Sequence, residues 1–171
     1  MKHICMLLAV PFVLVACGGG GDTPMGQANA FCYAIAETGG GAGCVGCSQV
    51  SNTGDAFDGN LESGASMGAG GQGTLYGAAS TQPSGRVAGV YFVLAPSTTG
   101  ITVTIRTLLN GVPQETGGPS AKGSCALSME CLDDGSEGYI GLRTTKDFNR
   151  IEATINNGST GTAEIRELCV R

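Results

Sequence analysis

Glycine occupies 30 of the 171 positions and recurs through most of the chain, and this constrains the fold more than any other feature. Each glycine inside a helix costs roughly 1 kcal/mol relative to alanine, so long helices are excluded as the main building material. Glycine does suit tight turns and places where two backbones approach closely. With aromatic residues at 5% and charged residues at 13%, the expected fold is all-β, with short strands and many turns. The chain is short enough for one domain.

Hydrophobic periodicity locates several strands. Ile101-Thr102-Val103-Thr104-Ile105-Arg106 alternates apolar and polar residues, the period of a strand with one face in the core and the other in water. Val87 to Leu94 is apolar on both faces and reads as a central strand covered on both sides. Tyr139 to Arg143 and Asn149 to Ile155 are further strands, the latter with Ile151, Ala153 and Ile155 on one face. Ala163 to Val170 closes the series, its broken alternation pointing to a bulge or to burial on both faces. Asn110-Gly111 and Asn157-Gly158 read as hairpin turns, because this pair accepts positive φ at low cost. A short helix is expected over Asn29 to Glu37. About seven or eight such strands describe an antiparallel β-sandwich or jelly roll of two sheets.

The first residues carry an address. Lys2 and His3 precede an apolar run from Ile4 to Val15, the layout of a secretory signal and short of the roughly 20 apolar residues that a membrane-spanning helix needs. The run ends in Leu14-Val15-Ala16-Cys17, followed by Gly18 to Gly21, and this resembles a bacterial lipobox. The resemblance implies cleavage before Cys17, diacylglycerol on its sulfur and an acyl group such as palmitate on its amine. It divides the chain into a lipoprotein signal peptide over 1–16, a lipidated cysteine with flexible tether over 17–28, and a β-sandwich domain over 29–171. Gly18, rather than an aspartate, follows the cysteine, which favours the outer membrane as the destination of a lipid-anchored protein.

Removing Cys5 with the signal and committing Cys17 to lipid leaves Cys32, Cys44, Cys47, Cys125, Cys131 and Cys169. An even set in an exported chain reads as disulfides. Cys125 and Cys131 are placed to close a small loop, and Cys169 to return to one of the three cysteines near the N-terminus. Cys44-Val45-Gly46-Cys47 also has the spacing of a thiol-disulfide exchange motif, which gives the alternative of an extracytoplasmic redox protein. Its glycine-rich flanks predict no helix to lower a thiol pKa. Zinc would lack a second C-x-x-C pair, and covalent haem would need histidine where Ser48 stands.

Cys44-Val45-Gly46-Cys47-Ser48-Gln49-Val50 leading into Ala56-Phe57-Asp58-Gly59-Asn60-Leu61 resembles a segment of exported bacterial surface proteins with a discoidin-like or carbohydrate-binding-like β-sandwich. Phe148-Asn149-Arg150-Ile151 resembles a strand start common in the same modules. The pattern departs in the inserted Gln49, in Phe57 for an aliphatic residue, and in Ser63-Gly64-Ala65. Read from the residues alone, Asp58 and Asn60 tie down a tight turn around Gly59. The functional alternative is an oxygen-rich calcium site from Asp55, Asp58, Asn60 and Glu62. Asp133-Asp134-Gly135-Ser136-Glu137 invites the same thought and reads more simply as a solvated loop.

Composition narrows the function. The single histidine, His3, lies in the signal segment, so the exported chain has no Ser-His-Asp triad and no histidine base. No pair of carboxylates is marked for glycoside cleavage. Gly68-Ala69-Gly70-Gly71-Gln72-Gly73 reads as a glycine-rich loop before a strand-like Thr74-Leu75-Tyr76, without the context of a phosphate-binding loop. A net charge of -5 argues against nucleic acid, which needs clustered cations. The expected function is a non-catalytic, lipid-anchored envelope module that binds a glycan, an envelope protein or a second copy of itself. Tyr33, Tyr76, Tyr91 and Tyr139 are its available aromatic platforms.

Overall fold

The computed structural model describes residues 33–34, 42–98 and 100–171. The lipobox cysteine Cys17 and Cys32 lie outside them. Ten strands follow in chain order: β1 (Tyr33–Ala34), β2 (Ala42–Ser51), β3 (Ala65–Gln82), β4 (Val87–Leu94), β5 (Ile101–Leu109), β6 (Val112–Ala121), β7 (Met129–Asp134), β8 (Glu137–Arg143), β9 (Phe148–Asn157) and β10 (Ala163–Val170). A single 3-10 turn, Thr53–Ala56, separates β2 from β3. There is no α-helix among the described residues, and none long and apolar enough to cross a membrane. Within the expected helix over Asn29 to Glu37, Tyr33–Ala34 is strand and pairs with Val170 and Cys169; the rest of that stretch lies outside the described residues.

All ladders are antiparallel and join into one continuous sheet in the order β6-β5-β9-β3-β10-β4-β8-β7, with β2 added to β3 and β1 to β10. The long strand β3 makes this possible. Its first residues, Ala65 to Met67, pair with β10, and Gln72 to Ala78 pair with β9, while β2 follows its other edge past both. The chain bends between these stretches at Gly68 to Gly71, where Gly70 takes φ 70°. These glycines therefore lie inside a strand rather than in a loop. At the far edges the sheet nearly closes on itself: a Cβ on Gly117 of β6 would stand 2.6 Å from Leu142 Cδ1 of β8 and Met129 Sδ of β7.

The enclosed side holds the core. Val90, Phe92, Ile101, Val103, Ile105, Ile140, Ile151, Ile155 and Ile165 are fully buried, each contributing about 1.5–3 kcal/mol by leaving water. A second apolar cluster lies on the opposite face of β4, β8 and β10, where Tyr91, Tyr139 and Cys169 pack with Leu61, Val87, Val93 and Leu132. This explains why β4 is apolar at nearly every position. β10 has the expected bulge between Ile165 and Glu167.

Asn110-Gly111 forms the expected turn, with φ 51° and 82°. Asn157-Gly158 does not. β9 and β10 are not hydrogen-bonded neighbours in the sheet order, so this connection passes from one half of the fold to the other. Asn157 is buried and donates from Nδ2 to the Met67 and Gly68 carbonyls at 3.1 and 2.9 Å. Its side chain holds the bend of β3 instead of shaping a hairpin.

Candidate functional site

Because Ile101, Val103 and Ile105 point into the core, Thr102, Thr104 and Arg106 of β5 face outward, and the same alternation on β9 turns Glu152, Thr154 and Asn156 outward. The ladders set these side chains in rows. Thr104 lies opposite Thr154, Thr154 opposite Thr74, and Thr74 opposite Val45. The next row runs Thr102, Asn156, Gln72, Ser48. Thr74 and Thr154 share a hydroxyl hydrogen bond of 2.8 Å, and Val45 is 63% exposed. Two adjacent rows across four strands thus consist of hydroxyls, amides and one aliphatic side chain, without a charge.

The row on the other side of Thr104, away from Thr102, is an ionic border. Glu152, almost buried, accepts from Arg106 Nε at 2.8 Å and pairs with Arg150 Nη2 at 2.9 Å. The Arg150 guanidinium also sits 4.2 Å from the centre of the Tyr76 ring, a cation–π contact. Tyr76 lies over Gly43 of β2, so both its flanks are occupied and it is not a free platform. Tyr91 and Tyr139 are buried and serve the second apolar cluster instead. Tyr91 Oη donates to Glu137 Oε2 at 3.0 Å, and burial first, then this carboxylate, pushes its pKa upward. Tyr139 Oη donates to the Val87 carbonyl at 2.8 Å, and burial raises its pKa well above the usual value. The Tyr33 side chain lies outside what is described.

Of the residues in the alternative calcium reading, Asp58 and Asn60 direct their side-chain oxygens to hydrogen bonds within their own turn. Asp58 Oδ1 accepts from the Asn60 amide at 2.8 Å, Asp58 Oδ2 from Ser63 Oγ at 2.8 Å, and Asn60 Oδ1 from the Glu62 amide at 3.0 Å. Gly59, at φ 75°, donates its N–H to Glu167 Oε2 at 3.1 Å. These side chains close the turn and dock it on β10. Among the described residues, no group of three or more Cys, His, Asp or Glu side chains, and hence not Asp55, Asp58 and Glu62, stands in metal-binding range.

Cys44 and Cys47 form a disulfide with Cα atoms 6.1 Å apart, and Cys125 and Cys131 form another with Cα atoms 5.9 Å apart. Cys169 is disulfide-bonded as well. The Cys44–Cys47 bridge spans a bulge in β2, where the register shifts between Val45 and Ser48 and Gly46 takes φ 63°. The C-x-x-C therefore lies on a strand, without a helix N-terminus to stabilise a thiolate.

The acidic run at Asp133 borders a cleft. Gly135-Ser136 is the two-residue turn joining β7 to β8, and it lines a cleft of about 570 Å³ with Leu94 to Pro96, Thr98, Gly100, Lys122 and Asp133. Periodicity revealed which residues of β5 and β9 face outward, but neither the rows nor this cleft is local in sequence. No family model matches the chain, and no curated protein matches it.

Proposed function

We propose that this chain is a lipid-anchored, non-catalytic binding module of the cell envelope that holds a neutral glycan on the outer face of β5, β9, β3 and β2. The observation that carries the reading is the pair of uncharged rows Thr104-Thr154-Thr74-Val45 and Thr102-Asn156-Gln72-Ser48. Hydroxyls and amides both donate and accept, as a polyol requires, and an exposed aliphatic side chain offers contact to the C–H faces of sugar rings. In a chain of net charge -5, so uncharged a surface suits a neutral chain better than an ionic partner. The lipobox resemblance at Leu14-Val15-Ala16-Cys17 supports the anchor and the outer-membrane address. The sandwich or jelly-roll subtype, and kinship with carbohydrate-binding-like surface modules, belong to the same proposal. β3 serving both halves of the sheet supports the subtype, and the Cys44 to Leu61 segment the kinship.

Affinity electrophoresis through neutral polysaccharides tests the reading. Retardation is expected, and Thr104→Val with Thr154→Val should weaken it about tenfold, the loss of one or two hydrogen bonds. Unretarded migration in every polysaccharide, beside capture of an envelope protein or self-association on sizing, would overturn the glycan assignment. Peptide mass mapping of membrane-extracted protein should find acylated Cys17; an unmodified Cys17 would remove the anchor.

The alternative, a thiol-disulfide protein, is favoured by one observation, the pairing of Cys44 with Cys47. It requires insulin reduction that disappears in Cys47→Ser.

A further inference from the structure

We propose that the cleft at the β4–β5 end of the sheet is a second carbohydrate site, which takes one or two neutral sugar residues at the end of a glycan chain; the inference rests on the glycan reading above. Its lining mixes apolar residues, Ala95 and Pro96 beside the buried Leu94, with polar ones, Lys122, Asp133 and Ser136. Such a mixture suits a pyranose, which has C–H groups on its faces and hydroxyls around its rim. The volume, about 570 Å³, falls within the range of roughly 300–1,000 Å³ common to small-ligand pockets.

Charge decides between ligand classes. Lys122 Nζ pairs with Asp133 Oδ1 at 3.0 Å and also donates to the Gly135 carbonyl. The cation is thus matched by an anion, so the cleft offers no net charge to a phosphate or a metal ion. An ammonium paired with a carboxylate instead presents donors and acceptors together, the arrangement that bonds vicinal hydroxyls. The lining is tied down by hydrogen bonds: the Leu94 amide donates to the Ser136 carbonyl at 2.7 Å, Thr98 Oγ1 donates to the Thr162 carbonyl at 2.7 Å, and the Gly158 amide donates to the Gly100 carbonyl at 2.8 Å. At these hydrogen-bonded groups the ordering cost of ligand binding is lowered. The cleft is also near the sheet face along the chain, since Lys122 directly follows Ala121, the register partner of Thr102.

The test is a titration of the ¹⁵N-labelled protein with glucose, N-acetylglucosamine and maltose, read at the amides of Thr98, Gly100, Gly135 and Ser136. Saturable shifts at these amides are expected with at least one sugar, and Lys122→Met or Asp133→Asn should weaken that binding about tenfold, as for a lost hydrogen bond to a charged group. Absence of saturable shifts with all three sugars, or shifts with inorganic phosphate instead, overturns the cleft assignment; this readout uses the unsubstituted chain and does not depend on a variant folding. If the cleft amides stay silent while polysaccharide retardation still falls in Thr104→Val with Thr154→Val, the cleft assignment fails and the sheet-face reading stands. If both are negative, both fail.

Discussion

Gly89 shows why glycine is so abundant here. It lies in β4 between β10 and β8, opposite Cys169 and Gly141, and a Cβ at this position would stand 2.5 Å from the Gly141 Cα and 2.9 Å from the Ile140 carbonyl carbon. Those neighbours are backbone and cannot rotate away. Gly138 and Gly77 repeat the theme against side chains, with the Phe92 ring 2.6 Å and the Phe57 ring 2.7 Å from the added carbon. The glycine excess thus marks close packing within strands as much as turns. Gly89→Ala should destabilise by about 1–3 kcal/mol through overpacking, read as a lower urea midpoint. Gly54→Ala, which meets open space, should leave the midpoint nearly unchanged; equal effects of the two would contradict the steric account.

At the scale of elements, β5 and β9 were legible because a buried face repeats every second residue, and β4, β8 and β10 because their apolar residues fall on both faces; β4 and β10 match the expected spans of Val87 to Leu94 and Ala163 to Val170. β2, β6, β7 and β3 apart from Thr74 to Tyr76 were not. β2 contains Gly43 and Gly46, β3 contains Gly68, Gly70, Gly71 and Gly73, and β6 contains Pro113 and Pro119, so local propensity opposes strand in these three and tertiary pairing overrides it. Proline is tolerated in β6 because it is an edge strand. The Asp58-Gly59-Asn60 turn could be read locally, whereas the rows of the sheet face depend on three ladders whose register no short segment encodes. The bend of β3 depends on Asn157 in the same nonlocal way. Asn157→Ala removes the donors to the Met67 and Gly68 carbonyls, and leaving partly buried carbonyls unpaired costs about 1–3 kcal/mol. The expected result is a lower thermal midpoint with faster amide exchange over Gly70 to Gly73; slow exchange there in the variant would show that the pairings of β3 hold the bend without it.

For the whole molecule, the two apolar layers have different pH dependence. The enclosed core is aliphatic and aromatic without ionisable groups at its centre, but the layer on the other face of β4, β8 and β10 is built on Tyr91 and Tyr139. Burial raises both phenol pKa values; Glu137 and Glu164 add to the effect at Tyr91 against Arg166, and Glu130 adds to it at Tyr139 against Arg171. A phenol is charged when it loses its proton, and in the unfolded chain it does so near its ordinary pKa of about 10. Above that pH the unfolded state releases protons that the folded state still holds, so stability falls as pH rises. The stabilisation is fully present below about pH 10 and declines through the alkaline range up to the raised folded values. Denaturant midpoints should therefore be flat between about pH 7 and 9 as far as these phenols are concerned and drop above about 10. Tyr139→Phe should make that drop shallower, at the cost of the bond to the Val87 carbonyl. The substitution lowers the midpoint at neutral pH and reduces the loss on alkalisation, and only an ionising Tyr139 produces both effects together. An alkaline drop unchanged in Tyr139→Phe and in Tyr91→Phe would place the sensitivity elsewhere in the fold.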